Sequence, residues 1–247
     1  MLEVFFISLL AGLSTALGGL IVIYFKKIGR RTLGFGLGFS SGVMVIIAFL
    51  SLFFKAIQFG TFQIAAISFM GGALMMMALD FFVPHQYFIR ESGFKGESRV
   101  RFVRVGMMVA IGMTLHNFPE GAIVGIGYTL LPAFGLVLAL AIAIHNIPEG
   151  IAVAIPLRAG GMKKSKTFLI TLVSGLVEPF GAVIAALFLS GIPSVVPIAL
   201  AFTGGVMIYL VMDELIPLAT KECDLHSISI GLIFGMGLAF ILETLVV

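Results

Sequence analysis

Eight apolar runs, each long enough to cross a lipid bilayer, dominate this sequence of 247 residues. A transmembrane helix needs about 20 apolar residues to span the roughly 30 Å hydrocarbon core. The runs lie approximately at residues 2–24, 33–54, 62–83, 105–131, 133–157, 167–189, 195–218 and 227–246. They are continuous, whereas barrel strands would be shorter and would alternate in polarity. The sequence therefore predicts an all-α, polytopic membrane protein with eight transmembrane helices.

Composition supports a membrane protein and excludes several other classes. Hydrophobic residues make up 60% of the chain and charged residues 11%, and the mean hydropathy is +1.18, values that a water-soluble domain of this length could hardly carry without aggregating. The net charge of +3 does not indicate a nucleic-acid partner, because the basic residues lie in short connections between apolar runs. The single cysteine, Cys223, excludes a disulfide or a cysteine-based metal cluster within one chain.

The distribution of basic residues predicts the orientation in the membrane. Fourteen of the 15 Lys and Arg residues lie in the odd-numbered connections, and Lys55 alone lies in an even-numbered one. The positive-inside rule places the odd-numbered connections in the cytoplasm, so both termini are predicted to lie outside. The longest connection, at about residues 84–104, reads as a mobile cytoplasmic loop. The whole chain, 1–247, is predicted to form one transmembrane domain.

A six-residue motif occurs twice, in the fourth and fifth apolar runs. It begins at His116 in the first copy and at His145 in the second, and each copy reads His-Asn-x-Pro-Glu-Gly. Residues i and i+4 lie on one face of a helix, so His116 and Glu120 should converge, as should His145 and Glu149. Two imidazoles and two carboxylates in one pocket are typical of a site for a divalent transition metal such as zinc or iron.

Prolines and a further carboxylate extend this candidate site. Pro119 and Pro148 each remove a helical hydrogen bond next to the candidate ligands, which predicts a kink and an accessible backbone carbonyl. Glu178-Pro179 repeats the arrangement at the centre of the sixth run, which makes Glu178 a fifth candidate ligand. The amide oxygens of Asn117 and Asn146 provide material for two adjacent metal positions bridged by Glu120 and Glu149. Polar residues in bundles often only hydrogen-bond between helices, but two full copies of the motif argue against that alternative.

The motifs resemble those of a known family. The two motif copies, the eight-helix outline with outside termini, Glu178-Pro179 and the segment Asp213-Glu214-Leu215-Ile216-Pro217 are similar to the ZIP family of zinc and iron permeases, in particular its bacterial zinc-uptake branch. The resemblance covers essentially the whole chain. It implies a multi-pass protein of the plasma or inner membrane that carries metal into the cytoplasm, forms homodimers, and moves one helix bundle against another.

The resemblance also implies a binuclear metal centre at the middle of the membrane. One position would be formed by His116, Glu120, His145 and Glu149. The other would be formed by Asn117, Glu120, Asn146, Glu149 and Glu178. The expected cargo is Zn²⁺, and a site of nitrogen and oxygen ligands also accepts Fe²⁺, Mn²⁺, Co²⁺ and Cd²⁺. Selectivity, proton coupling, and carrier or channel-like conduction stay open at this stage.

A candidate exit path lies on the predicted cytoplasmic side. Asp80 and His85 follow the end of the third run, and Asp213 and Glu214 lie near the end of the seventh. These residues either guide the departing metal or only solvate the ends of their helices.

Two enzyme classes are the rival hypotheses. An intramembrane zinc protease would normally carry His-Glu-x-x-His, which is absent from this sequence. A di-metal oxidase uses Glu-x-x-His on bundle helices, and the proline inside each motif argues against such a rigid cage. The sequence therefore favours a transporter over an enzyme.

Overall fold

The computed structural model describes residues 1–24, 29–82, 97–188, 192 and 194–246. Within these residues the chain forms eight helices in series, some of them internally bent or interrupted. They are α1 (Leu2–Tyr24), α2 (Arg30–Phe59), α3 (Phe62–Phe82), α4 (Glu97–Leu130), α5 (Pro132–Ala159), α6 (Lys164–Phe188), α7 (Val195–Glu222) and α8 (Leu225–Val246). The described residues contain no strand, which confirms the all-α prediction.

The helices coincide with the predicted apolar runs, although most extend beyond them. Five helices are long and apolar enough to cross a membrane, namely α1, α2, α6, α7 and the Gly135–Ala159 part of α5. The apolar parts of α3 and α8, Phe62–Ala78 and Leu225–Ile241, are shorter. Helix α4 does not meet the same criteria, because its motif places His, Asn and Glu in the middle of the apolar run. Five or more apolar helices make the chain a polytopic membrane protein.

Helix α4 begins earlier in the chain than its predicted apolar run. The connection at 84–104 is predicted to be a loop, and its last part is helical in the structure, where α4 begins at Glu97. The charged residues of this extension, among them Arg99, Arg101 and Arg104, are compatible with a helix that continues past the bilayer into water. The first part of the predicted loop lies outside the described residues.

The eight helices pack as two groups of four. Helices α1, α4, α5 and α6 contact one another; in the second group α8 packs mainly on α2, α3 packs mainly on α7, and α2 also contacts α7. Glycine allows close approach of backbones inside each group. A Cβ atom on Gly150 of α5 would overlap the carbonyl oxygen of Thr15 in α1, and one on Gly205 of α7 would overlap that of Phe69 in α3. Each group is therefore held together by direct backbone contact.

The seam between the two groups is packed differently. It is formed mainly by α2 against α5 and by α4 against α7. At Gly112 of α4, the atoms that a Cβ would meet belong to the side chain of Leu210, and at Gly36 of α2 they belong to that of Ile155. At one end of the seam, Arg101 Nη1 lies 2.7 Å from Glu222 Oε1. Flexible side chains and one ion pair thus form these contacts of the seam.

Helix α6 is interrupted near its centre. It consists of Lys164–Gly175 and Glu178–Phe188, joined by a turn at Leu176 and Val177. Pro179 has no N–H to offer the carbonyl of Gly175, four residues earlier, so the helical ladder cannot continue there. Gly175 is packed directly against Gly12 of α1, where a Cβ on either residue would overlap the other's carbonyl oxygen. The interruption places Glu178 in the first turn of the second half of α6.

Candidate metal centre

Three side chains from the two motif copies meet in the interior of the first helix group. His116 and Glu120 lie one turn apart on α4, and Glu149 reaches them from α5. His116 Nε2 lies 3.1 Å from Glu149 Oε1 and 3.9 Å from Glu120 Oε2. Candidate ligand atoms of the three residues all lie within 4.8 Å of one another, and all three side chains are buried. The described structure therefore joins the two helices at one point, as the i and i+4 spacing predicts.

The fourth member of this predicted set is described only by its backbone. His145 lies in the helical part of α5, one turn before Glu149, and its side chain is outside the described part of the structure. The convergence of His145 with Glu149 therefore stays a prediction.

The two asparagines of the motifs are held by their amide nitrogens. Asn117 Nδ2 donates to the carbonyl oxygen of Ser174 in α6 at 2.8 Å. Asn146 Nδ2 donates to the carbonyl oxygen of Ala11 in α1 at 3.0 Å and also to Glu178 Oε1. With both nitrogens engaged, the Oδ1 atoms of Asn117 and Asn146 are buried and have no hydrogen-bond partner among the described residues. Each asparagine thus presents its oxygen as an available ligand.

Glu178 lies within the same group of helices and is fully buried. Its Oε1 accepts the hydrogen bond from Asn146, while its Oε2 has no hydrogen-bond partner in the described structure. The backbone around it is tightly packed, because a Cβ on Gly121 of α4 would overlap the carbonyl oxygen of Glu178. Glu178 is therefore fixed between α4 and α5 with one carboxylate oxygen uncommitted.

The proline next to each motif glutamate has a different effect from Pro179. Helices α4 and α5 remain continuous through Pro119 and Pro148, so neither proline breaks its helix. The carbonyl oxygen of Pro148 accepts a hydrogen bond from Ser40 Oγ of α2 at 3.1 Å, across the seam. A break in the helix is thus observed at Glu178-Pro179, where a glycine precedes the proline by four residues in a tight helix contact, and the kinks at Pro119 and Pro148 stay predictions.

The unpartnered atoms of this pocket are unusual in kind and number. Buried acceptors without a partner normally cost about 1–3 kcal/mol each, so proteins avoid them. Here four such atoms occur in the side chains of the site, and all are oxygen atoms suited to a divalent cation. They are Asn117 Oδ1, Asn146 Oδ1, Glu149 Oε2 and Glu178 Oε2, and His116 adds its Nε2 beside Glu149. This donor set fits a divalent cation.

The candidate exit residues are only partly described. His85 lies outside the described residues, and so does the side chain of Asp80. Asp213 and Glu214 lie in a segment of α7 with wider turns, Leu210–Leu215, which precedes Pro217. Asp213 is exposed and accepts a hydrogen bond from Tyr209 Oη at 3.2 Å, whereas Glu214 is buried. Both lie in the second helix group, whereas the cluster of His116, Glu120 and Glu149 lies in the first.

Two backbone carbonyls next to the site could not be predicted from the sequence. Ala11 and Ser174 orient the two asparagines, but each does so through its backbone carbonyl. A backbone oxygen is present in every residue, so no pattern of side chains could have indicated these two positions.

Comparison with known proteins shows to which family the chain belongs. The sequence profile of the ZIP zinc transporter family matches residues 90–243. The chain is 40% identical over 244 residues to the zinc transporter ZupT of Xanthomonas axonopodis pv. citri (strain 306), an alignment that covers 94% of this chain and 90% of that protein. The chain belongs to the ZIP family. The chain is also 36% identical over 256 residues to the zinc transporter ZupT of Oceanobacillus iheyensis, an alignment that covers 96% of each chain.

Membership of the ZIP family confirms several predictions made from the sequence. The chain is a multi-pass membrane transporter and not an enzyme, as its relatives are transporters. The rival hypothesis of a membrane-embedded protease or oxidase has no support among them. In this ZIP chain, α4 to α8 fall within or overlap the matched segment, whereas α1, which contributes the Ala11 carbonyl, precedes it.

Proposed function

We propose that this ZIP protein takes up zinc into the cytoplasm through a binuclear site near the middle of the membrane. The observation that supports this proposal best is the set of four buried acceptor oxygens without partners in the side chains around His116, Glu149 and Glu178. Such a pocket is unfavourable when empty and becomes favourable when a cation neutralises and ligates it. The names of the ZupT relatives add the metal, since each is called a zinc transporter.

The two metal positions share the two glutamates of the repeated motifs. The first position consists of His116, Glu120 and Glu149, together with His145 from the preceding turn of α5. The second consists of Asn117, Asn146 and Glu178 with the same two glutamates. The fixed amide nitrogens support this second position because they leave only the oxygens available. Fe²⁺, Mn²⁺, Co²⁺ and Cd²⁺ are competing cargoes, because they accept similar ligands.

Transport requires that the site become accessible from each side in turn. We propose that the group α1, α4, α5 and α6 moves as a unit against the group α2, α3, α7 and α8. The packing supports this division, since backbones interlock inside each group and flexible side chains meet at the seam. Asp80, His85, Asp213 and Glu214 would then guide the metal out on the cytoplasmic side. The homodimer implied by the sequence resemblance remains part of this proposal.

Zinc uptake into proteoliposomes tests the function directly. We expect purified wild-type protein to accumulate radiolabelled zinc inside the vesicles, and we expect excess iron, manganese, cobalt or cadmium to reduce that flux in the order of their affinity for the site. Two controls are liposomes without protein and proteoliposomes in a medium where a chelator binds the external zinc. Protein that binds zinc but moves none would contradict the transport proposal.

The orientation makes a separate prediction. If all eight helices cross the bilayer within one domain, Gln58 at the end of α2 lies outside and Lys164 at the start of α6 lies in the cytoplasm; both are exposed. In a Cys223→Ser background, a membrane-impermeant maleimide should label Gln58→Cys on intact cells and leave Lys164→Cys unlabelled. Both variants should react once the cells are permeabilised. The reverse pattern would overturn the orientation, and labelling of both on intact cells would overturn the number of crossings.

A further inference from the structure

An apolar groove lies at the seam between the two helix groups, away from the metal centre. Its volume is about 190 Å³. Its walls come from three helices: Ile21 and Val22 of α1, Phe35 and Phe39 of α2, and Ile151 and Ile155 of α5. Ile21 and Phe35 are 45% and 40% exposed, so the groove opens towards the surroundings of the helices. In a membrane protein those surroundings are lipid chains, which are the natural occupants of an apolar groove.

Polar and basic groups line one end of this groove. Thr32 of α2 forms part of its wall, and the exposed Arg30 and Arg31 directly precede it in the chain. Arg31 lies one turn before Phe35, on the same face of α2. Tyr24, which is 84% exposed, ends α1 one turn after Ile21. Two guanidinium groups and two hydroxyl groups are therefore available at the end of an apolar groove.

The two arginines have no side-chain hydrogen bond or ion pair with any described residue. The acidic group on which Arg31 acts electrostatically is Asp224, the residue that precedes α8. Its carboxylate accepts hydrogen bonds from Ser227 N and Ser227 Oγ at 2.9 and 2.8 Å. These bonds, helped by the positive charge of Arg31, lower the pKa of Asp224. Asp224 is thus already committed to capping its own helix, and the arginines retain their capacity for an external anion.

We propose that this groove binds an anionic glycerophospholipid, with an acyl chain between α1, α2 and α5 and the phosphate on Arg30 and Arg31. Arginine pairs with phosphate oxygens through several N–H groups at once. The orientation proposed above puts the basic end at the cytoplasmic leaflet, where anionic lipids are enriched and where each nearby Lys or Arg strengthens binding. A neutral lipid would fill the groove but would leave the arginines without their partner.

The position of the groove gives this lipid a role beyond solvation. Its walls belong to both helix groups, since Ile21 and Ile151 lie in the first and Phe35 lies in the second. A lipid bound there contacts both sides of the seam, so any sliding of the groups must reshape its site. Binding itself can be measured without transport, so the test below stands apart from the proposed function.

Native mass spectrometry of the detergent-purified, delipidated protein tests the proposal. The protein is mixed with equal concentrations of dioleoylphosphatidylglycerol and dioleoylphosphatidylcholine. We expect wild type to retain the anionic lipid in preference to the neutral one by about tenfold. The double variant Arg30→Gln/Arg31→Gln should lose that preference. The matched control Lys164→Gln/Lys166→Gln removes the same charge from an exposed part of α6 and should keep it.

A groove variant separates headgroup recognition from chain binding. Ile21→Trp fills part of the groove and should lower the retention of both lipids while the thermal midpoint of the protein stays close to that of wild type. Equal retention of the two lipids by wild type would overturn the proposal. So would an equal loss of preference in the Lys164/Lys166 control, or unchanged retention in Ile21→Trp.

Discussion

Replacing Glu149 with glutamine is expected to abolish zinc uptake and, with it, the stabilisation of the protein by zinc. Glu149 lies 3.1 Å from His116 Nε2 and is a candidate ligand of both proposed metal positions. Even groups that only orient metal ligands change affinity by about 10- to 100-fold when removed, so loss of a bridging ligand should reduce uptake by at least about 100-fold. Wild type should be stabilised by about 2.7 kcal/mol when free zinc is 100 times its dissociation constant, and the variant should show none of this.

Thermal unfolding with and without zinc distinguishes loss of the ligand from loss of the fold. Glu149, Glu120 and Glu178 are three carboxylates in one buried pocket, and like charges at close range repel one another. Glu149→Gln removes one of these charges, so without zinc we expect an unfolding midpoint at or above that of wild type. Glu243→Gln is the matched control, because Glu243 is also a carboxylate on a membrane helix and contacts only Ser51 among the described hydrogen bonds. A zinc response that survives in Glu149→Gln, or is lost in Glu243→Gln, would place the site elsewhere.

Replacing Gly150 with valine should cause the largest loss of stability. A Cβ at this position would overlap the carbonyl oxygen of Thr15, and backbone atoms cannot rotate away as a side chain can. The variant must separate α1 from α5, which weakens their contact along its length. Overpacking of cores costs about 1–3 kcal/mol, and we expect at least the upper end of that range for a clash with backbone. The measurements are the thermal midpoint and the monodisperse fraction in detergent.

Gly237→Val is the matched control for Gly150→Val. Gly237 lies on α8, also inside an apolar helix, but nothing in the described structure would lie within 4 Å of its Cβ. We therefore expect this variant to fold with a midpoint close to that of wild type. Equal destabilisation by both substitutions would mean that helix propensity or lipid contact, and not close packing of α1 on α5, determines the effect.

The sequence predicted the helices and the central residues of the site for simple physical reasons. Continuous apolar runs have only one solution in a bilayer, so the positions of the eight helices followed from hydropathy. The spacing of His116 and Glu120 is fixed by helix geometry, and the short connection at Leu131 makes α4 and α5 antiparallel neighbours that bring Glu149 to the same point. These features depend on local rules that need no knowledge of the rest of the fold.

The remaining features depend on which helices become neighbours. The carbonyl of Ala11 orients Asn146 only because α1 packs on α5. Pro119, Pro148 and Pro179 were expected to act alike, yet only the last coincides with a break in a helix, where Gly175 packs against Gly12. The division into two helix groups likewise reflects pairs that are distant in sequence, such as α2 with α8.

The low hydropathy of α4 bears on how the protein is made. Its site residues put His116, Asn117 and Glu120 in the middle of the run, and an ionised side chain there costs about 2.5–3.5 kcal/mol during insertion. A helix of this kind leaves the translocon less readily than α1 or α2, which emerge first and carry no ionisable residue in their middle parts. The partners that bury its polar residues, α5 and α6, are synthesised after it. We therefore expect α4 to be retained by the insertion machinery until α5 and α6 have been made, so that the metal-binding helix enters the lipid together with the helices that shield it.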